Sequence, residues 1–172
     1  MGKADYDVFP RCAWYNICHL GSSHETRLKS KLENVQALCK RNVIVGLSEL
    51  HCSEGRCQGS FVDHISNVRP YYMQGGGDHV ILVDVAFQQA HDFEHVQLVS
   101  GSSHCISWSQ HSKRYVFVAF RFHPSDARMR AQQIRDLKAR LHSLWGNDLD
   151  SVTFVMGGDR NFVTSADQKQ SS

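Results

Sequence analysis

Apolar positions along the chain change their period from segment to segment, and each period predicts an element. Arg11-Cys12-Ala13-Trp14-Tyr15-Asn16-Ile17 reads as a short strand with an asparagine near its end. After a turn at Gly21, Ser22 and Glu25 form a capping box, and Leu28, Leu32, Val35 and Leu38 recur at helical spacing, so a first helix starts there. Its Arg27, Lys29 and Lys31 lie mostly off that stripe and read as a solvated face. Val43 to Leu47 is a continuous run rich in β-branched residues, the pattern of a strand covered on both faces, and Glu49 follows it. The polar segment from His51 to Asn67 reads as a surface loop.

Three glycines, Gly75 to Gly77, introduce a strand from Val80 to Phe87. Val96 to Val99 and His104 to Trp108 alternate apolar with polar residues, which predicts antiparallel strands with one wet face. Tyr115 to Phe122 is a longer strand. Pro124-Ser125-Asp126 ends it and starts a second long helix with the stripe Ile134, Leu137, Leu141 and Leu144. Val152 to Met156 is the last strand, and Gly158-Asp159-Arg160-Asn161 follows.

Composition narrows the picture only slightly. The 172 residues, 41% of them hydrophobic, are enough for one packed domain, expected over residues 10–165 with polar tails at 1–9 and 166–172. The net charge of +2 gives no basic excess, so a nucleic-acid partner would have to be met by local patches such as Arg128, Arg130, Arg135 and Lys138, which also read as a solvated helix face. Eleven histidines are scattered, and Cys52 and Cys57 near His51 and His64 lack zinc-site spacing. The first residues contain no apolar signal segment. The six cysteines therefore read as reduced thiols, Cys18 and Cys39 as small buried apolar residues, and the compartment as intracellular, cytoplasm or nucleus. No run approaches the roughly 20 apolar residues of a membrane span. The triple glycine is no phosphate cradle, because a strand and not a helix follows it. Trp14, Trp108 and Trp145 read as packing aromatics, although one exposed near a site could stack on a base.

The chemistry sits at strand ends. Asp159 and Asn161, two positions apart after a strand, can face one phosphate together, and with Glu49 after another apolar run they read as the acidic floor of a metal-dependent phosphodiesterase. Gly-Asp-x-Asn is also good turn chemistry after any strand, and Glu49 alone could simply end one.

The ordered set is more specific than its parts: strand with Asn16, helix, strand ending in Leu47-Ser48-Glu49, glycine-introduced antiparallel strands, strand-Pro-Ser-Asp-helix, then strand-Gly-Gly-Asp159-Arg160-Asn161. Over about residues 10–165 it resembles the endonuclease/exonuclease/phosphatase superfamily, the deoxyribonuclease I-like fold, and within it most of all the endonuclease domains of non-LTR retroelements. That resemblance implies an α+β fold, a four-layer sandwich of two packed β-sheets flanked by helices, incomplete at its C-terminus.

The resemblance also implies roles. Glu49 would be a direct oxygen ligand of a divalent metal, Mg2+ or Mn2+, with Asn16 beside it. Asp159 would orient or deprotonate the attacking water, and Asn161 would hydrogen-bond the phosphate. The family's histidine in the strand before the second long helix is replaced by Arg121, which cannot act as a general acid, and His123 is the alternative stand-in. Arg160 stands where the family commonly has an aromatic residue, and the terminal Asp-His motif is not reached. The implied activity is metal-dependent phosphodiester hydrolysis of endonuclease type on a nucleic acid, within a larger polyprotein that includes a reverse transcriptase. The alternative is an inactive retroelement-derived or truncated domain that at most binds nucleic acid or metal.

Overall fold

The computed structural model describes residues 10–17, 25–51, 65–74 and 78–159. The capping pair's Ser22, the glycines 75–77, Cys18, Cys52, Cys57, His64, Arg160, Asn161 and both expected tails lie outside the described residues.

In chain order the elements are β1 (Cys12–Asn16), α1 (Glu25–Arg41), β2 (Ile44–Ser48), β3 (Val68–Tyr72), β4 (His79–Asp84), α2 (Val85–Ala90), β5 (Asp92–Val99), β6 (Ser103–Gln110), β7 (Lys113–Arg121), α3 (Ala127–Trp145), a 3-10 segment (Gly146–Ser151) and β8 (Val152–Asp159). The strands form two mixed four-stranded sheets, ordered β1-β2-β4-β3 and β5-β6-β7-β8.

Alternation of side chains across each strand divides the core into three layers. Val45, Leu47, Val80 and Leu82 leave the first sheet on its outer face and bury Leu32 and Val35 of α1. Ile44, Ile81 and Val83, their neighbours in sequence, point the other way and meet Ile106, Trp108, Phe117 and Ala119 of the second sheet. On the far side of that sheet Cys105, Val116, Val118 and Phe120 pack on Leu137 and Trp145 of α3. Helix, sheet, sheet, helix is the expected four-layer α+β sandwich. Each fully buried aliphatic side chain in these layers contributes about 1.5–3 kcal/mol.

Several elements differ from the sequence reading. β6 has no wet face: Ser103, His104 and Ser107 are as buried as the apolar residues between them, because the second sheet is covered by the first sheet on one side and α3 on the other. The strand expected to run to Phe87 stops at Asp84, whose carboxylate accepts the Phe87 backbone N–H at 2.8 Å and starts α2. β3, which includes Pro70, carries no clear strand signal in the sequence. It pairs only with β4 at the sheet edge, where a missing N–H is tolerated. β8 continues past Met156 through both glycines to Asp159, in parallel register with β7.

Trp145 and Trp108 are buried, and Trp14 stacks on Phe117 between the sheets at a centroid distance of 6.3 Å. Gly46 and Gly157 face the Trp14 indole so closely that a methyl group at either would collide with it. Cys12, Cys39 and Cys105 are free thiols. Burial pushes them up to about 12, 11 and 12 respectively, with Asp84 adding to the rise at Cys39. Among the described residues no helix is long and apolar enough to cross a membrane.

Candidate active site

The two sheets bring one set of strand ends together. β1 and β2 run parallel and finish with Asn16 opposite Ser48, and Ser48 in turn stands opposite His79 at the start of antiparallel β4. In the other sheet, parallel β7 and β8 finish with Arg121 opposite Asp159. An ion pair between Arg121 and Asp78, the residue before β4, joins these two sets across the sandwich. Gln97 of β5 makes a second polar tie, donating to the Tyr72 carbonyl at 2.9 Å and accepting from the Gln74 backbone N–H at 3.0 Å.

Asp78 organises the turn after β2 as well. Its Oδ1 accepts the His51 backbone N–H at 3.2 Å and lies 3.5 Å from His51 Nδ1, and its carbonyl accepts from Leu50 N–H at 3.3 Å. Within this turn Glu49 adopts a left-handed backbone, φ 58°. A non-glycine residue there is uncommon, and the bonds to Asp78 on its C-terminal side hold it in place. The Asp159 carbonyl accepts the Phe122 N–H at 3.1 Å, so β7 and β8 remain paired beyond Arg121.

His79 follows Asp78 and is the first residue of β4. Its side chain is fully buried, and neither ring nitrogen has a hydrogen-bond partner among the described residues. Burial holds its pKa down to about 4, and the charges of Asp159 and, less strongly, Glu49 push it back up. Both acids therefore act on one buried imidazole, although they come from different sheets. The Trp14 ring stands edge-on to it, centroid to centroid 5.8 Å.

Of the residues singled out in the sequence, Asn16, Glu49, Arg121 and Asp159 lie at this end of the sandwich. Asn161 falls outside the described residues. His123 lies beyond the end of β7 and not on the strand. Its Nδ1 accepts the Asp126 backbone N–H at 3.0 Å and its own N–H donates to Gln133 Oε1 at 2.8 Å, so it belongs to the loop that starts α3. A cavity of about 310 Å³ opens beside it, lined by Gly101, Arg121, Phe122, His123, Pro124 and Gln133. A larger cavity, about 360 Å³, is lined by Arg11, Asp84 and Phe87 among others, at the opposite ends of β1 and β4 from Asn16 and His79.

Asp78 and His79 were missed in the sequence. Their only signal is an acid and an imidazole directly before a buried strand, which reads equally well as a polar turn.

Among the described residues no group of three or more His, Cys, Asp or Glu side chains is gathered to hold a metal. The nearby donors, the Glu49 and Asp159 carboxylates and the Asn16 amide, are nonetheless hard oxygen ligands. They suit a cation of the magnesium type, which takes one or two carboxylates and keeps its waters.

No family model matches the sequence, and no curated protein matches it either. Solved structures do match. The endonuclease domain of TRAS1, a telomere-specific non-LTR retrotransposon, superposes with a TM-score of 0.60 at 16% identity, covering 91% of this chain and 63% of that one. An AP endonuclease from Leishmania major gives 0.64 at 12% identity, over 86% of this chain and 53% of that one. The chain has the fold of the endonuclease/exonuclease/phosphatase superfamily. A mannosyl-6-phosphatase from Bacteroides thetaiotaomicron shares this superfamily fold, with a TM-score of 0.65 at 11% identity over 90% of this chain and 66% of that one. The chain thus spans about half to two thirds of the length of these superfamily structures.

Proposed function

We propose that this chain hydrolyses phosphodiesters in a nucleic acid with the help of a divalent metal, Mg2+ or Mn2+, as an endonuclease-type site. The observation that supports the reading is the Arg121–Asp78 ion pair, which ties the strand ends bearing Arg121 and Asp159 to those bearing Asn16 and Glu49 at one end of the sandwich. Glu49 and Asn16 would hold the metal, which when bound polarises a phosphoryl oxygen and lowers the cost of charge on the leaving oxygen. Asp159 orients the attacking water and takes its proton. A guanidinium is no general acid, so Arg121 stabilises the pentacovalent phosphorus electrostatically and delivers no proton. Asn161 donates to a phosphate oxygen. The TRAS1 domain is an endonuclease of a non-LTR retrotransposon, and likeness to it supports a nucleic acid as substrate. A place in a larger polyprotein with a reverse transcriptase belongs to the same proposal.

A second reading, an inactive domain that keeps weak nucleic-acid or metal binding, is favoured by one observation. Arg121 stands where the resembled family has a histidine and is engaged by Asp78, so that position supplies no proton to the leaving group.

The test is nicking of supercoiled plasmid by the purified chain with magnesium, with EDTA, and after Asp159→Ala or Glu49→Ala. Nicking that needs the metal and falls about 100-fold or more in each variant is expected. Nicking that survives EDTA or Asp159→Ala would sink the proposal. Titration calorimetry with magnesium separates the two readings, since the second allows a Glu49-dependent isotherm without cleavage.

A further inference from the structure

The basic residues near the start of α3 divide into two groups. Arg130 donates to the His123 and Pro124 carbonyls at 3.0 and 2.9 Å and belongs to the loop before the helix. Arg128, Arg135 and Lys138 are exposed, and none of them makes an ion pair among the described residues. At the pitch of an α-helix these three lie within roughly 80° of one another, on the side opposite the stripe Ile134, Leu137, Leu141 and Leu144 that packs on the second sheet. The one acid of α3, Asp136, accepts from Gln132 at 2.6 Å, and Arg135 donates to the same Gln132 side chain at 2.6 Å. With five Arg or Lys against that one Asp, α3 carries a net +4 in a chain of net +2, so the rest of the molecule is slightly acidic.

The stripe also has a direction. β7 and β8 are parallel, so α3, which joins them, runs back from the end of the sandwich that bears Arg121 and Asp159 to the end where β8 starts. Arg128 stands in its first turn, at the active end, and Lys138 follows roughly 15 Å further along the axis. The cavity lined by Arg121, His123 and Gln133 reaches from the strand end to the helix. A row of unpaired cations is complementary to a row of phosphates, and each such contact releases counterions. The strand ends face along the strands, whereas the stripe faces sideways, away from the sheet. A nucleic acid held at both must turn through about a right angle within a few nucleotides. Duplex DNA, with a persistence length of about 50 nm, resists that bend, and a single strand makes it freely.

We infer that the outer face of α3 is a docking surface for a single-stranded flank of a nucleic acid, with Arg128, Arg135 and Lys138 on its phosphates. The inference rests on the function proposed above, because the flank leads to the phosphate cleaved at the strand ends. Its test needs no cleavage.

Fluorescence anisotropy of the full chain in EDTA compares two labelled DNA hairpins, one blunt and one with a single-stranded tail. The tailed hairpin should bind about tenfold more tightly. The triple variant Arg128→Glu, Arg135→Glu, Lys138→Glu should lose that preference. Its slope of log affinity against log salt should be shallower by about 2, from three contacts at roughly 0.7 each. Gln at the same three positions keeps good helix formers there and should flatten the slope in the same direction. Reversing Lys40, Arg41 and Lys113, all exposed at the opposite end of the sandwich, changes the net charge equally and should keep the preference for the tail. Equal affinity for the two hairpins would overturn the inference, as would a loss in the Lys40, Arg41, Lys113 variant as large as that in the α3 variant. Binding to phosphatidylserine vesicles through the three α3 residues, with no binding to the tail, would overturn it too and assign the face to a membrane. A chain that prefers the tail but nicks no plasmid sinks the proposed hydrolase alone, and one that nicks plasmid yet ignores the tail sinks the docking surface alone.

Discussion

Arg121, the last residue of β7, is ion-paired with Asp78, the residue before β4, so one charged contact joins the two sheets at the end that bears the acids. The side chains keep 29% and 22% of their exposure, which places the pair between a surface bridge and a buried one. Asp78→Asn should therefore cost about 1–2 kcal/mol, or roughly 3–6 °C in Tm for a domain of this size. Because Asp78 also holds the turn carrying Glu49, cleavage should fall more than this stability loss explains. Calorimetry beside the plasmid assay checks both, and an unchanged Tm with unchanged nicking would remove Asp78 from the site.

Stability should fall as the solution is acidified. Burial depresses the His79 pKa from 6.5 to about 4, so above pH 6.5 the folded and unfolded chains both keep this ring neutral and pH has no leverage through it. Between pH 6.5 and about 4 only the unfolded chain takes up the proton, which favours unfolding by up to ~3 kcal/mol. His104, lowered by burial and then by His95 and His79, acts in the same direction over a window reaching further into acid. His91 and His95, also lowered by burial, add to the slope, so urea melts from pH 7.5 to pH 4.5 should show a steady loss of stability toward acid, and His104→Leu should reduce the slope. A flat profile from pH 7 to pH 5 would contradict the burial of both rings.

Gly46→Ala should be destabilising by about 1–3 kcal/mol, because the new methyl group would occupy the space of the Trp14 ring. At Gly157 the added carbon would stand 2.7 Å from Trp14 Cε3, a milder clash on the same indole. Trp14→Leu frees that space, so the double variant Gly46→Ala, Trp14→Leu should lose less than the sum of the two single losses. A thermodynamic cycle measures the coupling, and strict additivity would show that the indole does not seat on Gly46.

His123→Ala should weaken the start of α3 and change cleavage less than Arg121→Ala does. Its Nδ1 accepts the Asp126 N–H, while the Asp126 carboxylate caps the helix through the Arg128 and Met129 N–H groups at 2.8 and 3.0 Å. Arg130 completes the loop by donating to the His123 and Pro124 carbonyls. Comparing kcat and Tm for the two variants decides the matter, and a larger kcat loss at His123 would make it the stand-in for the family's histidine.

The two long helices and most strands were legible because their information is local. The stripe Leu28, Leu32, Val35, Leu38 predicts α1 and the run Val43 to Leu47 predicts β2 whatever they pack against. Where a neighbour decides, local reading went astray. His104 and Ser107 are polar yet buried because sheet and helix cover β6 on its two sides, and Val85 and Phe87 are strand formers wound into α2 by the Asp84 cap.

For the site, the sequence by itself determined the candidates: an acid or amide at the end of each of several apolar runs, since a strand's last residue leaves the core and can serve chemistry. That Arg121 reaches Asp78 and that His79 lies buried at the same end of the sandwich as Glu49 and Asp159 were decided only by the packing of one sheet on the other. Proximity between residues distant along the chain is a property of how layers stack, and no periodicity or spacing within a single strand encodes it.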